Sequence, residues 1–376
     1  MAGPTAGPTV VRVRTRRLLT TVLSGMLLVV SVVVSISVID GQGDPEIRDV
    51  KEIQRAHLAL VGHCRGGDRT ICEMLPVLEL AFDGDTTGAL EMLEGFQNRD
   101  DDFRTKCHEI SHIIGKVSYY EIGIAATIKD LPGGCAGGIH HGALEQWGFD
   151  DSLEHMQEIA GSVCDPLLDE GSVSHEVCVH GVGHALERNI LGWERAADLC
   201  EKVYEEGDRG SCVIGAVSSQ MTVHHAELKV PYRMDEIEDF IQRCQTLPAD
   251  MAAGCVDVVM YQALPTLAGP RFAEGLALCL RLENYDENCA NGVGMTAANA
   301  NVGDPGVVVE ICRDNAGDLL DACLGGGSMW VAMNLQNESL AREICTPDGQ
   351  VLGSRCREVL DQIEEIVKGQ RNLDTR

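Results

Sequence analysis

Residues 108–112 read His-Glu-Ile-Ser-His. This fits the H-E-x-x-H pattern, in which two histidines one helical turn apart hold zinc and the glutamate acts as general base. The motif does not stand alone. Of the 12 histidines in the chain, eight fall between residues 108 and 184. Six of them form three groups: His108 and His112, His140 and His141, and His180 and His184. Two of these groups are i,i+4 pairs, so each projects from one face of its helix. Measured at 100° per residue from the cysteine that opens each phrase, all six positions fall on a single face. Neighbouring helices pack 8–10 Å apart, so imidazoles reaching about 6 Å from either side can share one ion. A histidine-only set suits zinc, copper, iron or nickel without choosing among them. Glu109, Glu145 and Glu187 are placed to hold ring N–H groups behind the ligands. His175, just before Cys178, is the expected extra ligand. His57, His63, His155, His224 and His225 read as surface or loop residues.

A protease needs more than the motif. A metzincin would carry a third histidine six residues after His112, and that position is Ser118. The segment ahead of Cys107 reads as helical and offers no strand to hold a substrate. Glu109 has a simpler role as an acidic residue in a helix's first turn, favoured by the macrodipole. No catalytic residue is assigned, and Glu109 would become one only in a protease. The expected roles are metal binding or metal-dependent redox chemistry, with a non-catalytic protein-interaction scaffold as the alternative.

The elements that position the histidines are marked by cysteine. Cys178, Cys212, Cys255, Cys289 and Cys323 are spaced 34, 43, 34 and 34 residues apart, and each opens a similar phrase, from CVHGVGHAL to CLGGGSMWV. Cys135 opens CAGGIHHGAL. Gly138, Gly181, Gly215, Gly292 and Gly326 recur three residues after the cysteine, where a glycine lets a neighbouring helix approach. A second series, Cys164, Cys200, Cys244, Cys279, Cys312 and Cys345, ends short amphipathic phrases upstream. Each unit therefore predicts a helix ending in cysteine, a polar loop and a second helix beginning with cysteine. The expected bridges are Cys164–Cys178, Cys200–Cys212, Cys244–Cys255, Cys279–Cys289, Cys312–Cys323 and Cys345–Cys356, with Cys64–Cys72 before them. Cys107 and Cys135 remain, and either bridge neighbouring hairpins or serve as free or metal-bound thiols. Each short staple contributes on the order of 2–4 kcal/mol in a chain-entropy estimate.

The fold class expected is all-α: disulfide-stapled helical hairpins stacked into a right-handed solenoid. By repeat length and stapled hairpins, residues 160–368 resemble secreted cysteine-rich repeat proteins of the Sel1-like, tetratricopeptide-related kind. The histidine-bearing phrases are similar to those of extracytoplasmic archaeal and bacterial proteins without an assigned role. The last unit, CREVLDQIEEIVKG, lacks the glycine and reads as a polar-faced terminal cap. In the later units Ser218, Tyr261, Met295 and Met329 stand where His141 and His184 do, so the repeat itself does not require histidine.

Composition agrees. Aromatics make up 4% of the chain against 44% hydrophobic residues, which favours close-packed helices over strands. A formal charge of −28 excludes nucleic acid as a partner. Arg12, Arg14, Arg16 and Arg17 precede an apolar run from Leu18 to Ile39, 22 residues long and sufficient to span a bilayer. The basic flank keeps the N-terminus cytoplasmic and puts the rest outside, in a single-pass membrane topology. Cleavage of this run as a signal peptide, giving a secreted protein, is the alternative. Sixteen cysteines suit an oxidising exterior. The expected divisions are a basic N-terminus (1–17), a membrane anchor (18–39), an N-terminal helical hairpin region (40–106), His-rich repeats (107–200), Cys-paired repeats with a cap (201–368) and a tail (369–376). Partners expected are the membrane, through the anchor, and a protein on the repeat surface.

Overall fold

The structure is a computed structural model that describes residues 58, 61–62, 64–65, 67, 69–97, 101–170, 172–228, 231–267, 271–349 and 353–375. The apolar run of 18–39, His57 and His63 lie outside these residues. Among the described residues no helix is long and apolar enough to cross a membrane.

Every regular element described is helical. The first two are α1 (Arg69–Phe82) and α2 (Thr86–Gln97), which pack on each other and on α3 (Asp101–Ile122). Then come α4 (Ile124–Asp130), α5 (Gly138–Asp150), α6 (Leu153–Ile159), α7 (Ser172–Ile190), α8 (Trp193–Val203), α9 (Asp208–Leu228) and α10 (Met234–Cys244). The remainder are α11 (Ala249–Ala263), α12 (Phe272–Cys279), α13 (Asp286–Ala300), α14 (Pro305–Asn315), α15 (Leu320–Trp330), α16 (Glu338–Cys345) and α17 (Ser354–Thr375).

The odd-numbered helices from α3 to α17 are the second helices of successive units, and each packs on the next. Glycine makes this spacing tight. A Cβ on Gly142 of α5 would sit 1.9 Å from the His112 carbonyl of α3, and one on Gly215 of α9 would sit 1.8 Å from the His180 carbonyl of α7. Only the missing side chain permits helix backbones to meet in this way.

The even-numbered helices from α8 onward are the short amphipathic segments with a cysteine in their last turn. Their caps are local: Asp304 ahead of α14 accepts from the backbone N–H of Gly306 at 2.9 Å, with Pro305 following at the first helical position. All eight disulfides are present, and no cysteine is free. The pairings are those expected from spacing, and Cys107–Cys135 is resolved as a bridge from α3 to the loop before α5. The cysteines of the second helices sit inside them rather than at their starts. α7, for example, begins at Ser172, ahead of Cys178.

The final unit was expected to be a polar-faced amphipathic cap. One face of α17 buries Cys356, Val359, Ile363, Ile366 and Val367 and packs against both α15 and α7. Its face is shared between its sequence neighbour and a helix five units earlier. The π-helical turn Val331–Leu335 likewise reaches α3.

Candidate metal centre

The site is built around α5, whose residues from Gly138 to Gly148 are all buried. This helix lies between α3, which brings His108 and His112, and α7, which brings His180 and His184. From α5 itself come His141 and, one turn on, Glu145. Five imidazoles converge in two overlapping groups: His108, His112 and His141, and His141, His180 and His184. Within each group the ligating nitrogens all lie within 4.8 Å of one another.

His140 does not join them. Adjacent residues on a helix diverge by 100°, so only one of the His140–His141 pair can face the cluster. The buried ring of His140 turns the other way, with Nε2 3.1 Å from the Leu131 carbonyl.

The second nitrogens of the rings show which tautomers are present. His108 Nδ1 lies 2.7 Å from the Cys135 carbonyl. A carbonyl only accepts, so Nδ1 carries the proton and Nε2 is left bare in the neutral ring. His141 Nε2 lies 2.9 Å from the Val177 carbonyl, which leaves its Nδ1 bare, buried and without a hydrogen-bond partner. Glu145 Oε1 lies 3.4 Å from His112 Nδ1 and 3.5 Å from His184 Nδ1. Both are ion-pair contacts, and His184 Nδ1 has no hydrogen-bond partner. The other oxygen of Glu145 pairs with Lys116 Nζ at 3.0 Å.

Inside the cluster, His108 Nε2 and His112 Nε2 are 3.0 Å apart, and His180 Nε2 and His184 Nε2 are 2.9 Å apart. If His112 keeps its Nδ1 proton for Glu145, two bare nitrogens face each other across 3.0 Å. A cation between them turns that repulsion into coordination.

Electrostatics favours the same state. Burial, reinforced by His112, pushes the His108 ring down to about 4. Burial and the neighbouring imidazoles hold His141, His180 and His184 well below the ordinary histidine range. These four rings are therefore neutral ligands at neutral pH. Burial alone would raise the pKa of Glu145, but Lys116, His112 and Arg188 outweigh it and keep the carboxylate ionised.

The other candidates lie elsewhere. Glu109 is exposed on α3 while the two histidines of its motif turn inward, and no strand occurs among the described residues. Both the base and the sheet edge that a zinc protease requires are thus out of place. Glu187 is buried and accepts from Ser219 Oγ at 2.7 Å. His175, expected on the surface or as an extra ligand, is neither. It is buried in the first turns of α7, its Nδ1 lies 3.6 Å from Asp208 Oδ1, and it belongs to neither histidine group. His155 is exposed on α6 and pairs with Asp151 at 2.6 Å. His224 and His225 lie on α9, which is not one of the three helices that bring the clustered histidines.

At the equivalent positions of later units, Ser218 accepts from Gln262 Nε2 and Tyr261 from Trp330 Nε1. Met295 and Met329 pack against the core.

Sequence reasoning missed Lys116 and the two carbonyls. Lys116 had a signal: it follows His112 by four residues, extending the line His108–His112–Lys116 along one face. The carbonyls of Cys135 and Val177 had none.

No family model, curated protein or solved structure matches this chain.

Proposed function

We propose that the chain is a transition-metal-binding protein whose centre is the cluster His108, His112, His141, His180 and His184. The observation that carries this reading is the arrangement of second nitrogens. Carbonyls take the outer N–H of His108 and His141, and a carboxylate oxygen faces Nδ1 of His112 and His184, which leaves bare nitrogens directed inward, the pattern by which proteins orient metal-bound histidines. Zinc, copper, nickel and iron all suit such a donor set. The function follows as metal binding or metal-dependent redox chemistry.

The setting we propose is a membrane-anchored, extracytoplasmic helical solenoid, right-handed, held to the bilayer by residues 18–39. Support comes from the pairing of all sixteen cysteines, which suits an oxidising compartment. The serial packing of second helices supports the solenoid. A scaffold that only binds a protein partner has no comparable observation in its favour, since burying five imidazoles together does nothing for an outer surface.

The test is elemental analysis of the full-length chain purified without an affinity histidine tag or chelators. About one equivalent of a transition metal is expected. Replacing His112 and His184 together with glutamine removes one ligand from each group and is expected to abolish binding with the helical circular dichroism intact. A wild-type chain holding less than about a tenth of an equivalent after metal exposure would overturn the reading.

A further inference from the structure

The five imidazoles do not form one shell. They form two groups of three that share His141, and among the described residues no larger group of ligating atoms comes together within the same limit. His141 contributes one nitrogen only, because its Nε2 lies 2.9 Å from the Val177 carbonyl and holds its proton there. A single lone pair makes one coordinate bond, so the two groups cannot be complete at the same time. Two doubly charged ions so close together would also repel strongly in a buried site.

Both groups are finished to the same standard. Glu145 stands at nearly equal distances from one ring of each, 3.4 Å from His112 and 3.5 Å from His184, and Lys116 balances its charge. Each group also contains a partly exposed ring: His108 and His112 on the α3 side, His180 on the α7 side. The shared His141 is buried between them.

Resting on the metal reading above, we infer that the centre holds one ion that exchanges between two three-histidine positions, His108–His112–His141 and His141–His180–His184, with His141 as the ligand common to both. Moving across, the ion gives up the two nitrogens of α3 and gains the two of α7. Imidazole replaces imidazole, so the ion keeps the same type of donor in both positions. Each position has a partly exposed ring, one set on α3 and one on α7. The centre's activity is to accept a transition-metal ion on one side of α5 and hand it on from the other.

Mutually exclusive positions make a quantitative prediction, because their association constants add. Cobalt(II), whose visible absorption reports its ligands, is titrated into the full-length chain and two variants, His108→Gln with His112→Gln and His180→Gln with His184→Gln. The wild-type chain is expected to saturate at one equivalent. Each variant is expected still to bind one, with a distinct spectrum, and the two variants' association constants are expected to sum to the wild-type value within about twofold. A wild-type stoichiometry of two would overturn exchange in favour of a two-metal centre. Variants whose summed constants fall tenfold or more below wild type would overturn it in favour of one fixed shell. Either result leaves metal binding standing, whereas no cobalt uptake by the wild-type chain removes both readings. Should either variant fail to fold, one equivalent of cadmium-113 in the unaltered chain decides. Exchange broadening that resolves into two resonances on cooling supports the two positions, and one narrow line at every temperature overturns them.

Discussion

Glu145 links the two halves of the centre. One oxygen lies near the outer nitrogens of His112 and His184, and the other is paired with Lys116. Glu145→Gln keeps the shape but weakens both acceptor contacts and leaves a buried lysine without its carboxylate. We expect a 10- to 100-fold loss of metal affinity, in the range seen when such supporting partners are removed, measured by competition with a chromogenic chelator. A second buried carboxylate, far from the imidazoles, governs a pH dependence. Asp257 of α11 accepts from Asn291 Nδ2 at 2.7 Å, and burial pushes it up to about 7, partly offset by that hydrogen bond and by Arg355 of α17. Between its ordinary value of 3.8 and about 7 the folded chain holds a proton that the unfolded chain has released. Stability from this group is therefore complete below that window and falls as pH rises through it, by up to about 1.4 kcal/mol per pH unit. Asp257→Asn should remove that slope. The difference in urea midpoint between variant and parent is expected to grow from pH 4 to pH 7 and then level off.

At the scale of the element, the close approach of second helices decides whether the ligands meet. A Cβ at Gly142 would collide with the backbone of α3 at the His112 carbonyl, where no side chain can move aside. Gly142→Ala should cost about 1–3 kcal/mol by overpacking and also weaken metal binding, because α3 and α5 must separate. Thermal melts with and without metal would show both effects. The staples act on a different state. Replacing Cys279 and Cys289 with serine frees a loop of 10 residues in the unfolded chain and should cost about 2–3 kcal/mol in denaturant unfolding, with the native helices retained.

These elements were also the most legible part of the sequence. Cysteines 8 to 14 residues apart at the ends of amphipathic phrases have few alternative partners, and their pairing could be read from spacing alone. The register of the histidines could be read as well, since i,i+4 spacing fixes a helix face. The fate of His140 could have been read from its 100° divergence from His141. The carbonyls of Cys135 and Val177 could not, because a backbone acceptor bears no mark of what reaches it. Tertiary packing also decided which of the three nearby glutamates serves the centre. Glu145 lies on the helix enclosed on both sides, while Glu109 faces outward.

For the unit described as a whole, periodic local patterns state which helix follows which, but not whether the last one meets an earlier one. α17 read as a polar-faced amphipathic cap; its second partner, α7, is a nonlocal contact that no repeat period encodes. A one-dimensional stack with free ends would unravel from either terminus in independent steps. Here the contact from α17 back to α7 ties distant units together, so we expect denaturation of the described region to be a single transition, with probes on α7 and α15 reporting the same midpoint.

The return of α17 also sets an order of events during synthesis. α7 carries His180 and His184, and the helix that braces it is synthesised after every residue of the cluster. A chain stopped after residue 353 would hold every ligand and lack the brace. All five clustered histidines precede α17 in the chain, yet α7 is braced only once α17 is in place. Truncation before α17 is therefore expected to weaken the proposed metal binding.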